Sequence, residues 1–521
     1  MTTETQVRVP PPESAEFVKG INLTSATTLV IGSMIGSGIF IVSADIARLV
    51  SSPALLILAW VVTGFMTIVG ALTYGELAAM MPKAGGQYVF LRESLGPLWG
   101  FLYGWSMFLV IQTGTIAAVG VAFGKFLGVL FPAISADKWL WHIGHVPKWP
   151  VGPLVLGNMD VGLNLQNLMA IGTVVLLTAI NVRGVRTGAI VQNIFTFSKA
   201  AALLGLVLIG AALGRNLEAM RQNFGHFWQN ASFSTLHPVQ VGVGGPIALV
   251  GLFTVVAIAQ VGSLFSSDAW NNVTFTAAEV ENPRRNLPLS LALGTSIVIL
   301  LYIAANFVYL MVLPLHGDPH GTTILARGIQ YAADDRVGTA VMQQAFGASG
   351  AALMAIAILL STFGCNNGLI LAGARVYYAM ARDGLFFRSI GKLHPRYKTP
   401  VVSLVVQAIW ASFLCLSGTY NQLLELTMFT VIIFYILTFG GLFVLRRTRP
   451  GAPRPYRALG YPVLPALYIV MASFIDVVLL RYKPQYTWPG LIIVLLGIPV
   501  YLFWSRNATA DGSASELQDA G

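Results

Sequence analysis

Charge is scarce in this 521-residue chain, of which only 10% is Asp, Glu, Lys or Arg. Ordinary soluble domains carry about 25% charged residues, so the shortage excludes a conventional water-soluble globule. Cysteine is scarcer still: Cys365 and Cys415 both lie inside apolar sequence, which excludes a secreted disulfide framework and predicts two free, buried thiols. No CxxC pair, HExxH motif or cluster among the seven His residues occurs, so neither a metal nor another cofactor is expected. A nucleophile–base pair and a phosphate loop are also missing, which argues against an enzyme, including a membrane-embedded one built on Lys199 or Asp268.

What is abundant is apolar sequence, at 55% of the residues. Hydropathy predicts twelve spans, at 24–48, 54–80, 98–127, 163–181, 189–213, 246–278, 289–313, 350–381, 401–418, 422–445, 462–480 and 486–504. Each is near or above the roughly 20 residues that cross a hydrocarbon core. The expected fold is therefore an all-α polytopic membrane protein whose solvent is the lipid bilayer. The polar N-terminal stretch with Pro10, Pro11 and Pro12 lacks the pattern of a cleaved signal peptide, so targeting is assigned to the first span.

The net charge of +10 could point to nucleic acid, but its placement explains it otherwise. Lys83 and Arg92, Arg183 and Arg186, Arg284 and Arg285, the 382–398 loop and the 446–457 run all fall on one side if the N-terminus is inside. That is the positive-inside distribution of a cell-membrane protein with both termini cytoplasmic, and no nucleic-acid partner is expected.

Two spans are interrupted by small polar residues about half a chain apart, Ile31–Phe40 and Gly262–Asn271. Broken helices at membrane depth are tolerated only where the freed backbone lines a cavity or is buried in protein, and a break in each half marks a midplane site. The pattern fits a 5+5 inverted repeat, with repeats at 21–215 and 216–445, two added spans within 446–505, and tails at 1–20 and 506–521. The long connections 131–162 and 314–348 then share one face, and the latter holds a short helix around Gly338–Phe346. On the opposite face, Met81–Glu93 is too short and polar to span and is expected to be re-entrant or interfacial.

Gly36 and Gly38 remove two β-carbons, letting a ligand approach helix-start N–H groups that favour an anion. Close helix packing through Gly32 and Gly36 is the competing reading. Carbonyls freed between Gly262 and Ala269 would face a cation, with Ser266 and Ser267 beside them. Phe265, read from the residues alone, is a lipid-facing or core aromatic. Asp268 could pair with a cationic substrate, carry a proton, or cap the following half-helix, and capping is the favoured role. Lys199 lies in the middle of a span, where an ammonium needs a partner unless it snorkels to the lipid surface.

Several motifs carry a resemblance. Gly36-Ser-Gly-Ile-Phe40, Gly75-Glu-Leu-Ala78, Pro82-Lys-Ala-Gly-Gly-Gln-Tyr88, Asn181-Val-Arg-Gly-Val-Arg186 and Glu279 to Pro288 are similar to amino acid permeases. So are Ala374-Arg375, Ala381-Arg-Asp-Gly384 and Pro453-Arg-Pro-Tyr-Arg457. Over about residues 18–505 the chain resembles the amino acid/polyamine/organocation superfamily, nearest its L-type amino acid transporter branch and bacterial serine/threonine-exchanger-like members.

The resemblance implies a carboxylate-binding turn at Ile35, Gly36, Ser37, Gly38 and Ile39, and an aromatic gate at Phe265. It implies that Lys199 stands where sodium-coupled relatives hold a cation, its ammonium received by first-helix carbonyls and by the hydroxyl of Ser361 or Thr362. Transport would then be sodium-independent: an exchanger of neutral L-amino acids working by alternating access. A proton-coupled symporter and a cationic amino acid or polyamine antiporter are the alternatives, and polyamines would leave the carboxylate turn unused. Ala269 departs from the glycine common at its place. The cysteine that joins animal L-type carriers to a heavy chain is missing between the third and fourth spans, so no disulfide-linked partner is expected and a monomer or homodimer is. Glu76, Glu279, Glu281 and Arg375 form either a cytoplasmic gate network or ordinary ion pairs, and Asn282–Pro288 reads as a turn with Pro288 opening the next span.

Overall fold

The computed structural model describes residues 17–518 apart from 136, 148, 152–153, 157–158, 243–244 and 418–419. Residues 1–16, with the triple-proline run, and 519–521 lie outside the described residues. Among the described residues, ten helices are long and apolar enough to cross a membrane, and two shorter apolar helices, Leu252–Ser266 and Val401–Leu416, accompany them. The chain is a multi-pass membrane protein.

Helix α1 (Leu23–Met34) starts where the Asn22 side chain accepts the Ser25 N–H at 2.8 Å, and α2 (Gly38–Val50) continues it past a break. Proline in the first turn opens α3 (Pro53–Met80) and α5 (Pro97–Ser106), with the short helix α4 (Gln87–Leu95) between them. Helix α4 buries Gln87 to Leu91, as expected of a non-spanning segment docked on the bundle. A π-helical turn at Met107–Ile111 joins α5 to α6 (Gln112–Leu130).

The 131–162 connection is not the plain loop expected. Strands β1 (Trp139–Val146) and β4 (Met159–Asn164) pair antiparallel, and β2 (Trp149–Val151) and β3 (Leu154–Leu156) pair within them. Register shifts at Trp139/Trp141 and His142/Gly144 disturb β1's alternation, so period-two patterning is hard to see in its sequence. His145 and His142 hydrogen-bond Asp160 at 3.1 and 3.2 Å, holding its carboxyl below the usual range.

Helices α7 (Leu165–Val182) and α8 (Val185–Ile209) follow, then the short α9 (Leu217–Gly225). The expected span 246–278 is shorter in fact: Ile247–Val250 is strand β6, paired with β5 (His237–Gln240). Helix α10 (Leu252–Ser266) ends in the second break, and α11 (Asn272–Phe275) is a single turn. Helix α12 (Pro283–Val312) begins earlier than expected, and Pro288 lies inside it. Pro283 presets the first turn, and Pro288 forfeits only the bond to the carbonyl of exposed Arg284, where water can substitute.

After α13 (Ile324–Arg327), α14 (Val337–Arg382) bends sharply at Gly347, whose φ of 62° lies in the left-handed region. This separates the expected short helix around Gly338–Phe346 from the long apolar one. Helices α15 (Val401–Ser417), α16 (Tyr420–Thr448), α17 (Val463–Tyr482) and α18 (Pro484–Gln518) complete the chain. The broken helix sits at the centre, α1 against α8, α12 and α14, and α2 against α10. Both cysteines are free and buried, Cys365 in α14 and Cys415 in α15.

Candidate functional site: two facing helix breaks

The first break spans Ile35 to Ser37, and other helices supply donors for the carbonyls it frees. The Lys199 ammonium of α8 donates to Gly32 O, and Cys365 Sγ donates to Ser33 O at 3.1 Å. The Tyr302 hydroxyl of α12 reaches Met34 O at 3.0 Å, and Ser361 Oγ of α14 reaches Ile35 O at 3.0 Å and Gly36 O at 3.1 Å. One turn further, the Tyr309 hydroxyl donates to Ile39 O at 3.1 Å. The carbonyl side of the break is thus satisfied by protein. Its amide side differs: α2 starts at Gly38 with no side-chain cap bond, and in its first turn the Phe40 N–H turns back to Ser37 O at 3.1 Å.

Lys199 is fully buried, and its second partner is the Ser361 carbonyl at 3.3 Å. The two expected hydroxyls donate to carbonyls, Ser361 Oγ on the first break and Thr362 Oγ1 to Ile358 O and Leu359 O at 2.9 and 3.1 Å. The Lys199 ammonium donates to backbone oxygens, those of Gly32 and Ser361, instead of to either hydroxyl.

The second break is a tight turn. Ser267 N–H reaches Ser263 O and Leu264 O at 3.1 Å, and Asp268 N–H reaches Phe265 O at 3.2 Å. Ala269 adopts φ 63°, the left-handed value with which helices commonly end, usually at glycine. Ser266 O receives the same Tyr302 hydroxyl at 3.1 Å, so one phenol touches the C-terminal end of both half-helices. The turn uses most of its own carbonyls, fewer being left for a ligand than an open unwound segment would offer. Ser267 Oγ is buried without a hydrogen-bond partner.

Asp268 does not cap α11. That turn starts at Asn271 with no side-chain cap bond, and Asp268 Oδ1 instead accepts the Tyr435 hydroxyl of α16 at 2.5 Å. The Tyr435 ring stacks on Trp270 with centroids 5.4 Å apart, and Tyr74 of α3 packs edge-on to Trp270 at 4.8 Å. Asn271 Nδ2 donates to Gln87 Oε1 at 3.0 Å, tying the turn to α4.

A small cavity of about 20 Å³, room for roughly one water, opens beside this turn. Its wall includes Asp268, Ala269, Asn271 and Asn272 from the break, Gln87, Tyr435, and Met107, Ile111 and Gln112 from the π-helical turn and its continuation. π-bulges recur at functional sites because they re-aim side chains. Of the residues expected from sequence, Asp268 alone is in this wall. Ile35, Gly36, Ser37, Gly38, Ile39, Phe265, Ser266 and Ser267 are buried where the two breaks meet. Lys199 and Ser361 brace the first break, while Thr362 bonds only within its own helix. Tyr302, Tyr435, Cys365 and Gln87 were not anticipated, since a lone polar residue in a span carries no local pattern naming its partner.

Of the four charged residues Glu76, Glu279, Glu281 and Arg375, Glu281 is exposed and the other three fall into two buried groups. Arg375 and Glu279, each 1% exposed, pair at 3.1 Å. Glu76 instead takes Arg446 at 2.6 Å, Arg454 at 3.2 Å and the Ala458 N–H at 2.6 Å.

A sequence model described as amino acid permease matches residues 21–503, nearly the whole chain and both breaks. The chain belongs to the amino acid permease family. This permease is 28% identical over 487 residues to the serine/threonine exchanger SteT of Bacillus subtilis (strain 168), covering 93% of the chain and 96% of SteT. It is 29% identical to the human large neutral amino acids transporter small subunit 2, over 96% of the chain and 83% of that protein. Identity to the human b(0,+)-type amino acid transporter 1 is 26%, over 96% and 90%. The family and these relatives are transporters rather than enzymes.

Proposed function

We propose that this permease exchanges neutral L-amino acids across the cell membrane by alternating access, without sodium. The observation that carries the reading is the asymmetry of the first break: its carbonyls are bonded to Lys199, Cys365, Tyr302 and Ser361, while the helix start at Gly38 has no side-chain cap. Helix-start amides suit a carboxylate. An ammonium already seated on Gly32 O leaves a metal cation little reason to bind there. The substrate's own ammonium would go to the second break, where the carbonyls of Ser267 and Asp268 accept no hydrogen bond among the described residues. The names of SteT and of the large neutral amino acids transporter support a neutral substrate.

In this reading the two shorter apolar helices also span, making twelve, and the paired breaks mark a 5+5 inverted repeat with cytoplasmic termini. The chain works without a disulfide-linked heavy chain, consistent with two buried thiols. One observation favours a second reading: Asp268 lines the cavity, where a cationic side chain would find a carboxylate.

The test is uptake of labelled serine, leucine and arginine into liposomes holding the purified protein, with and without internal unlabelled amino acid and without sodium. Neutral uptake only into preloaded vesicles is expected. Arginine uptake alone would install the second reading, and concentrative uptake into empty vesicles driven by a proton gradient would replace exchange with symport.

A further inference from the structure

The hairpin between α6 and α7 exposes an unusual run of apolar residues. Within β1, Trp139, Leu140, Trp141 and Ile143 are all exposed, Trp141 and Ile143 by 69% and 64%, and Trp149 is exposed by 65%. Three of the chain's 11 Trp residues thus fall between positions 139 and 149. Contiguous exposed apolar surface of this kind marks a place that something covers.

We propose that this hairpin lies in the headgroup layer of the bilayer and anchors the chain there. Three observations commit it to lipid. Its position is fixed by the ends of two helices: the chain leaves α6 at Leu130 and enters α7 at Leu165, so the hairpin sits at one membrane face. The surface it joins is itself apolar and open, with Phe131 exposed just past α6 and Leu168 exposed in the first turn of α7. β4 lies against α15 and β3 against α18, so the ribbon stays beside the bundle instead of standing away from it.

The chemistry matches that place. Indole has an apolar body and one N–H donor, the combination that concentrates tryptophan at membrane–water interfaces. The same ribbon carries the hydrogen-bonded His142, His145 and Asp160, which suit headgroups and water. A second copy of the chain would need a face complementary to these rings. The bilayer needs only the depth that α6 and α7 already set.

The test attaches an environment-sensitive fluorophore to Ile143→Cys in the full-length protein reconstituted in phosphatidylcholine vesicles. The native thiols are buried and give little background. A lipid carrying a nitroxide on its headgroup is expected to quench the probe about two-fold or more, with aqueous iodide quenching far less, as for a group at interfacial depth. Quenching by iodide and not by the lipid would place the hairpin in water and overturn the proposal. Protection from both quenchers, lost on dilution to one protein per vesicle, would assign the face to a second copy and overturn it equally. Trp141→Cys, labelled alike, repeats the measurement should the first variant misfold.

Discussion

Gly38 faces Ser266 so closely that a β-carbon on the glycine would lie 2.2 Å from the serine hydroxyl oxygen and 3.0 Å from its Cα. The start of α2 and the end of α10 are therefore in direct contact, and the two breaks form one unit. Gly36 is less confined, its nearest neighbour being Cys365 Sγ at 3.3 Å from such a carbon.

Gly38→Ala is expected to be the harsher of the two alanine substitutions. Overpacking of this kind costs about 1–3 kcal/mol, whereas Gly36→Ala needs a shift of only a few tenths of an ångström by one thiol. Thermal unfolding of the detergent-purified variants reads the difference. Ser266→Gly removes the hydroxyl and β-carbon and should return part of the loss in the double variant. Equal destabilisation by both alanines would mean that the breaks do not abut.

Tyr302 should matter to both half-helices at once. Tyr302→Phe deletes a hydroxyl 3.0 Å from Met34 O and 3.1 Å from Ser266 O, leaving buried carbonyls short of a donor. The expected cost is about 1–3 kcal/mol of stability. Exchange should slow as well, because the phenol fixes the spacing of the two breaks. A variant with unchanged melting and unchanged exchange would show that the bridge is dispensable.

The breaks themselves were legible in the sequence because Gly and Ser in an otherwise apolar run contradict the hydropathy of a buried span. Lys199 was legible for the same reason, as an ammonium with no aqueous neighbour. Their partners were not. Tyr302 and Tyr435 sit in ordinary apolar helices, and only the packing of α12 and α16 brings their hydroxyls to Ser266 and Asp268. The capping role expected of Asp268 failed at α11 because that turn begins only at Asn272, its cap position being Asn271; the carboxylate takes the Ala269 N–H within the break and the Tyr435 phenol at 2.5 Å. The hairpin escaped notice because its bulged register hides the strand period.

Ala269 holds φ 63°, a conformation that costs a non-glycine residue about 1–2 kcal/mol. Ala269→Gly relieves that cost and adds unfolded-state freedom worth about 0.4–1 kcal/mol, so stability should stay level or rise by up to about 1.6 kcal/mol. Ala269→Val, with a β-branch at positive φ, should lose more than it. Differential scanning calorimetry of the two variants checks the order, and the reverse order would mean that the turn relaxes freely.

The ion pairs should rank by burial. Arg375→Met strands Glu279 at 1% exposure, and breaking a buried pair in this way costs about 3–5 kcal/mol. Arg48 and Asp335 pair at 2.6 Å with side chains 29% and 27% exposed, and Arg48→Met should cost no more than about 1 kcal/mol. The contrast is read from melting temperatures of the purified variants at low and high salt, where only the exposed pair should be screened. A double variant replacing both Arg375 and Glu279 with apolar residues should recover much of the loss, because no charge is then left buried alone. Failure of that recovery, with the single variant still severely destabilised, would mean that Arg375 acts mainly through its bond to Leu371 O at 2.7 Å.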